Sequence, residues 1–209
     1  MQSTVIPGTE GYIEDAELLI PRYESVSFLD KYKAVAHLFP KKQSKILDIG
    51  AGTGVDAAWL AAKGHCVLAV EPTSPFRHAA ASLHPSNRIE WLDDSLPHLH
   101  KTRTRRESFD LVLVTAVWMH LSAQERQQAM SNIANLLKPS AFLVISLRHG
   151  LAPSNRRVFD VSAEETIELA QKNGLLKKLY QRTESVQSIN RQAEVTWSWI
   201  AFQNQLQAW

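Results

Sequence analysis

Between residues 45 and 147, short apolar runs alternate with amphipathic stretches, and each change of period marks a new element. The runs at 45–49, 65–70, 88–92, 110–115 and 141–147 predict strands, and the stretches at 54–63, 74–83 and 123–137 predict helices. Strand followed by helix, repeated, predicts an α/β domain on a mostly parallel sheet. Leu111-Val112-Leu113-Val114 and Phe142-Leu143-Val144-Ile145 are apolar at every position. That pattern belongs to strands covered on both faces, so these two are expected mid-sheet.

Upstream, Val26, Leu29, Tyr32, Lys33, Val35, Ala36 and Phe39 fall mostly on one stripe, predicting a lead-in helix from Tyr23 that Pro40, Lys41 and Lys42 close. Residues 1–22, broken by Pro7, Gly8, Gly11 and Pro21, predict an irregular arm or short helix ahead of a domain over 23–209. Ser122 with Glu125 and Ser162 with Glu165 have the spacing of capping boxes and mark two helix starts. The second helix is expected to run to Asn173 and stop at Gly174, with a strand over 175–182. At 194–202, Val195, Trp197 and Trp199 alternate on one side of a last strand. Roughly a dozen residues separate it from the strand before, too few for a crossover helix, so it is expected to run antiparallel.

A chain of 209 residues that is 44% hydrophobic and 21% charged suits one compact globular domain rather than two. Its 23 Lys+Arg against 21 Asp+Glu produce little field for gathering nucleic acid. The run Lys101-Thr102-Arg103-Thr104-Arg105-Arg106 has no interleaved aromatics for base stacking and is read as a solvated loop, so nucleic acid is not an expected partner. The single cysteine, Cys66, has no partner for an intrachain disulfide and lies in an apolar run where a small hydrophobe would serve. Glu10, Glu14, Asp15 and Glu17 interrupt any N-terminal apolar run, and none approaches about 18 residues. A cytoplasmic protein without a membrane partner is expected, and the pattern carries no signal of oligomeric state.

The chemistry concentrates at Lys45-Ile46-Leu47-Asp48-Ile49-Gly50-Ala51-Gly52-Thr53-Gly54, a strand emptying into a glycine turn that opens a helix. Such a turn lets a ligand approach the backbone closely and presents free N–H groups to it. Glu71, about 20 residues on at the end of the second strand, suits two ribose hydroxyls. Asp94, after the third strand, suits an exocyclic amine such as adenine's. A dinucleotide fold would place its third glycine where this chain has Val55, which counts against NAD.

With these residues in place, the chain resembles the class I S-adenosylmethionine-dependent methyltransferases over about residues 23 to 202. The resemblance implies a doubly wound, seven-stranded, Rossmann-like sheet whose antiparallel seventh strand lies beside the fifth. It implies that Asp48, Gly50, Ala51, Gly52 and Gly54 hold the methionine part of S-adenosyl-L-methionine. Glu71 with Pro72 would hold the ribose, and Asp94 with Ser95 the adenine, while Thr115 begins the loop after the fourth strand that borders the methyl group. The family often has two glycines after Lys-Pro where this chain has Ser140-Ala141, so a modest change of turn is expected there. The loop also lacks the Asn/Asp-Pro-Pro-Tyr/Phe pattern of enzymes that methylate base or amide nitrogens.

The acceptor pocket is expected outside the carboxyl ends of the strands. Trp118, Arg148 and His149 sit at such ends and are candidate substrate residues. Arg148 suits a carboxylate or phosphate, or else an ion pair with Asp160. His120 is the candidate base for an acceptor that must lose a proton; an acceptor already ionised needs none. Tyr12, Arg22 and Tyr23 could let the arm close over the cofactor. The expected activity is methyl transfer to a small, anionic metabolite, with no metal. The rivals are an NAD-dependent oxidoreductase and a binding module that keeps the cofactor site without turnover.

Overall fold

The computed structural model describes residues 6–205. The first five residues of the expected arm, and residues 206–209, lie outside the described residues. The strands are β1 (Lys45–Ile49), β2 (Cys66–Val70), β3 (Ile89–Leu92), β4 (Phe109–Val114), β5 (Leu137–His149), β6 (Leu175–Glu184) and β7 (Thr196–Asn204). They form one sheet in the order β3-β2-β1-β4-β5-β7-β6. The first five strands run parallel, and β7 lies antiparallel between β5 and β6. This is the Rossmann-like methyltransferase arrangement that the motifs implied, with β4 in the middle.

The connecting helices are α1 (Ala16–Glu24), α2 (Phe28–Lys31), α3 (Val55–Ala62), α4 (Ser74–Leu83), α5 (His100–Thr104), α6 (Ala123–Ala134), α7 (Ala163–Lys172) and α8 (Ser188–Gln192). Successive strand residues point to opposite faces, so β1 feeds two cores. Ile46 joins Tyr32, Leu60 and Leu113 on one face, and Leu47 and Ile49 join Val112, Met130 and Ile145 on the other. Asp48 shares the parity of Ile46 and therefore points toward the Tyr32 side. Both serine caps form: Ser122 and Glu125 make a reciprocal box at α6, and the Ser162 hydroxyl accepts from Glu165 N at α7.

Several boundaries differ from the sequence expectation. The lead-in helix over 23–39 is not continuous: α1 begins earlier and α2 is a single turn, with a short 3-10 turn at Ala36–Leu38. The buried residues are Phe28, Tyr32, Val35 and Phe39, while Leu29 is exposed. Phe28 stacks on Trp59 of α3 with centroids 3.9 Å apart, and the Tyr32 hydroxyl docks on Asp56 and Thr115. Those tertiary contacts outweigh helix propagation in so short a segment. α6 ends at Ala134, because Leu137 already pairs with Phe109 as the first residue of β5. The Lys-Pro-Ser-Ala segment therefore lies within β5, where Ser140 takes φ 61°, a left-handed value that glycine would adopt without strain. α5 forms within the basic run, and Cys66 stands exposed at the start of β2 rather than serving as a buried hydrophobe. No described helix is long and apolar enough to cross a membrane.

Candidate active site

At the carboxyl ends of β1, β2, β4 and β5 lies a cavity of about 770 Å³. Its floor is the turn after β1. Gly50 N and Ala51 N both donate to Val70 O, at 2.8 and 3.0 Å, folding the chain back over the end of β2. Gly50 and Gly52 have φ of 73° and 57°, which glycine adopts freely. A Cβ on Gly50 would strike the Val117 side chain, so the floor allows no larger residue there. Gly54 does not line the cavity; it caps α3 at φ 87° and lets α3 approach Trp91.

Glu71 is nearly fully buried at the end of β2 and forms one wall. Its Oε2 accepts from Gly52 N at 2.8 Å and its Oε1 from Thr73 N at 2.7 Å. The carboxylate thus ties the glycine turn to the start of α4. Its pKa is raised by burial, which the two backbone donors and Arg77 oppose. Pro72, Asp94, Ser95 and Thr115 also line the cavity, as do Gly50, Ala51 and Gly52. The Asp94 carboxylate is largely occupied by the protein. Its Oδ2 accepts from Thr102 N and Oγ1, both at 2.8 Å, and Oδ1 from Ser95 N at 3.0 Å, which anchors α5. This leaves less acceptor capacity for an adenine amine than the sequence suggested.

Beneath the turn, Asp48 is buried with Oδ2 lacking any hydrogen-bond partner, and Asp56 on α3 has Oδ1 in the same condition. Asp56 Oδ2 is held by Lys31 Nζ at 2.6 Å and the Tyr32 hydroxyl at 2.7 Å; that hydroxyl lies 2.8 Å from Thr115 Oγ1. Burial, reinforced by the like charge of Asp56, pushes the Asp48 carboxyl well above the usual range. Such an acid favours the folded state while it is protonated, so stability declines as pH climbs from the ordinary carboxylate value through the raised one. Asp48→Asn is therefore expected to raise the Tm of the ligand-free protein at pH 8–9 by roughly 2–6 °C, and by less near pH 4. Differential scanning calorimetry across that range measures it. An equal shift at both ends would show that Asp48 is not the titrating group.

His120 is 6% exposed and lines the cavity. Its Nδ1 lies 2.6 Å from the carbonyl oxygen of Arg157, which only accepts, so Nδ1 carries the proton and Nε2 offers a lone pair. At 3.0 Å from Nε2 stands the hydroxyl of Tyr12, the donor of that bond, brought in from the arm. The two rings meet edge to face with centroids 5.6 Å apart. Burial lowers the His120 pKa, keeping the imidazole neutral, and raises that of the Tyr12 phenol. Arg156 fixes the arm from the opposite loop. Its guanidinium lies 4.2 Å over the Tyr12 ring, and its Nη2 pairs with Asp15 at 2.7 Å.

Trp118 and His149 do not reach the cavity. Trp118 is wholly enclosed with the residues around Met130, and its indole N–H is unpartnered; the His149 ring bonds Ser198 Oγ at 2.8 Å. The 3-10 turn at Trp118–His120 points Trp118 inward and His120 at the site, which strand-end position alone does not reveal. Trp118→Ala is expected to cost about 3–5 kcal/mol of stability and Trp118→Phe less than about 1.5, as measured by urea unfolding. Arg148 does line the cavity, but it makes no ion pair with Asp160: its Nη1 and Nη2 donate to Gly150 O and Leu151 O. Asp56, Tyr32 and Lys31 carried no sequence signal, because the network joins segments about 25 residues apart.

This geometry coincides with the comparisons to known proteins. A methyltransferase-domain family model matches residues 47–145, from within β1 into β5. Over those residues the chain is similar to a methyltransferase domain, in keeping with the class I resemblance of its glycine turn. An uncharacterised methyltransferase of Alkaliphilus oremlandii is 30% identical over 106 residues, 51% of this chain and 46% of that protein. The chain spans about half the length of the curated relatives it matches. The fold is shared with a Burkholderia thailandensis 1,6-didemethyltoxoflavin-N1-methyltransferase solved with its substrate and S-adenosylhomocysteine, at TM-score 0.69 and 18% identity over 99% of this chain and 93% of that one. A Haemonchus contortus phosphoethanolamine-type N-methyltransferase in complex with phosphomonomethylethanolamine and S-adenosylhomocysteine gives TM-score 0.71 at 14% identity, over 94% of this chain and 58% of that one.

Proposed function

We propose that this chain binds S-adenosylmethionine and transfers its methyl group to a small molecule held in the same cavity. The reading is carried by the acidic surroundings of the glycine turn. Asp56 and Glu71 line the cavity; Asp48, predicted to touch the cofactor, lies beneath the turn outside that lining and adds to the same cluster from below. A ligand bearing positive charge relieves that cluster, whereas the pyrophosphate of a nicotinamide dinucleotide would add like charge to it. The cofactor's ammonium and sulfonium are both cationic and suit the donor set.

When bound, S-adenosylmethionine supplies a methyl group already activated by its sulfonium. The chain's own tasks are then to bind, align and exclude water. The glycine turn would hold the methionine part and Glu71 the ribose, with Asp94 and Ser95 at the adenine. The neutral His120 would take the acceptor's proton at Nε2, directly or through the Tyr12 hydroxyl it already touches. Arg156, by fixing Tyr12 and Asp15, would keep the arm over the reacting atoms and water out. A cytoplasmic setting suits the exposed, unpaired Cys66.

Calorimetric titration with S-adenosylmethionine, S-adenosylhomocysteine and NAD tests the cofactor. Incubation of labelled cofactor with a small-metabolite pool, against heat-treated protein, tests turnover. Binding of both adenosyl compounds with label transfer is expected. Binding of NAD alone would overturn the reading, and binding without transfer across chemically broad pools would leave a non-catalytic module.

A further inference from the structure

The charges lining the cavity are not evenly spread. The acids Asp56 and Glu71 flank the glycine turn, while Arg22 and Arg148 line another part of the wall. Arg156, which also lines the cavity, is neutralised by Asp15. Among the described residues, neither Arg22 nor Arg148 forms an ion pair. Both are held instead by neutral oxygens. Arg22 Nη2 donates to Asn190 Oδ1 at 2.8 Å and Gln187 Oε1 at 3.2 Å, and Arg148 donates to Gly150 O at 2.8 Å and Leu151 O at 2.7 Å.

Neutral acceptors orient a guanidinium without cancelling its charge, so its remaining N–H groups stay available to an oxyanion. α1 and the end of β5 bring these two cations close enough to repel, a cost that a shared anion removes. Burial, with a contribution from Arg22, lowers the Arg148 pKa; Arg148 in turn acts on the charge of Tyr12. Glu184 also lines the cavity, but it is exposed and pairs with neither arginine.

We propose that Arg22 and Arg148 form a subsite for a compact oxyanion, a carboxylate or a phosphate, carried by the acceptor. This rests on the methyltransferase reading and names the acceptor's class. Arg148 is close enough to act on the charge of both Tyr12 and His120, which places the subsite in the same cavity as the candidate base. Tight orientation of Arg22 comes from α8, which gives that five-residue helix a part in acceptor recognition.

The full chain, with S-adenosylhomocysteine bound, is titrated with inorganic phosphate and separately with acetate, following tryptophan fluorescence. Saturable binding of at least one anion is expected; the stronger of the two identifies the group. Arg22→Gln and Arg148→Gln should each weaken it tenfold or more while leaving S-adenosylhomocysteine affinity within twofold. Arg148→Lys, which keeps the charge, should lose less, and its melting temperature guards against a loosened 150–151 turn. Wild-type protein that shows no saturable anion binding would overturn the proposal. So would a parallel fall in S-adenosylhomocysteine affinity, because the pair would then hold the cofactor's own carboxylate. Wild-type protein that binds the anion but no adenosyl compound would remove the methyltransferase reading and the acceptor assignment with it, while an anion site remained.

Discussion

Glu71→Ala is expected to weaken S-adenosylhomocysteine binding by roughly 10²–10³-fold, read by titration calorimetry. Two losses combine. The ribose loses a charged acceptor, and Gly52 N and Thr73 N, now bonded to the carboxylate at 2.8 and 2.7 Å, lose their partner in a buried place. Hydrogen bonds to a charged group contribute about 1.5–3 kcal/mol each, and about 1.4 kcal/mol is tenfold in affinity. Glu71→Gln keeps the shape but turns an amide N–H₂ toward one of those donors, so an intermediate loss is expected. An affinity within threefold of wild type in the alanine variant would mean that the ribose does not sit at the end of β2.

His120→Ala should lower kcat by about 10²–10⁴-fold, the span typical of a positioned general base, with cofactor affinity unchanged. Tyr12→Phe should also lower kcat, because it removes the hydroxyl 3.0 Å from Nε2, and the double variant should be little worse than the more damaged single one. The pH dependence has a definite sign. A base must be neutral to accept a proton, and burial lowers the His120 pKa, so kcat should hold near neutral pH and fall only below the ordinary histidine value of 6.5. An acceptor that arrives already ionised would leave kcat indifferent to His120, and that result retires its role as base.

The α/β class, the parallel order of the early strands and the antiparallel last strand were legible because each rests on local pattern: apolar runs, glycine punctuation and connection length. The glycine turn, Glu71 and the helix caps were legible for the same reason, since their spacing is short and their backbone requirements are strong. The broken lead-in segment was not. Its outcome depends on Phe28 stacking on Trp59 and Tyr32 reaching Asp56, contacts between residues far apart in sequence. Trp118 and His120 differ by two positions, yet one is sealed in the core and the other faces the cavity, because a single 3-10 turn rotates them apart.

What the amino-acid order determined by itself was therefore the scaffold and its glycine turn, the proposed cofactor site, both set by periodicity and by residues with narrow backbone preferences. Only the tertiary structure decided which side chains converge over that turn. Tyr12 meets His120 across 108 positions, Arg156 meets Asp15 across 141, and Arg22 meets Asn190 across 168. Pairings at such separations follow from how the sheet stacks its loops at one edge, and no local propensity encodes them.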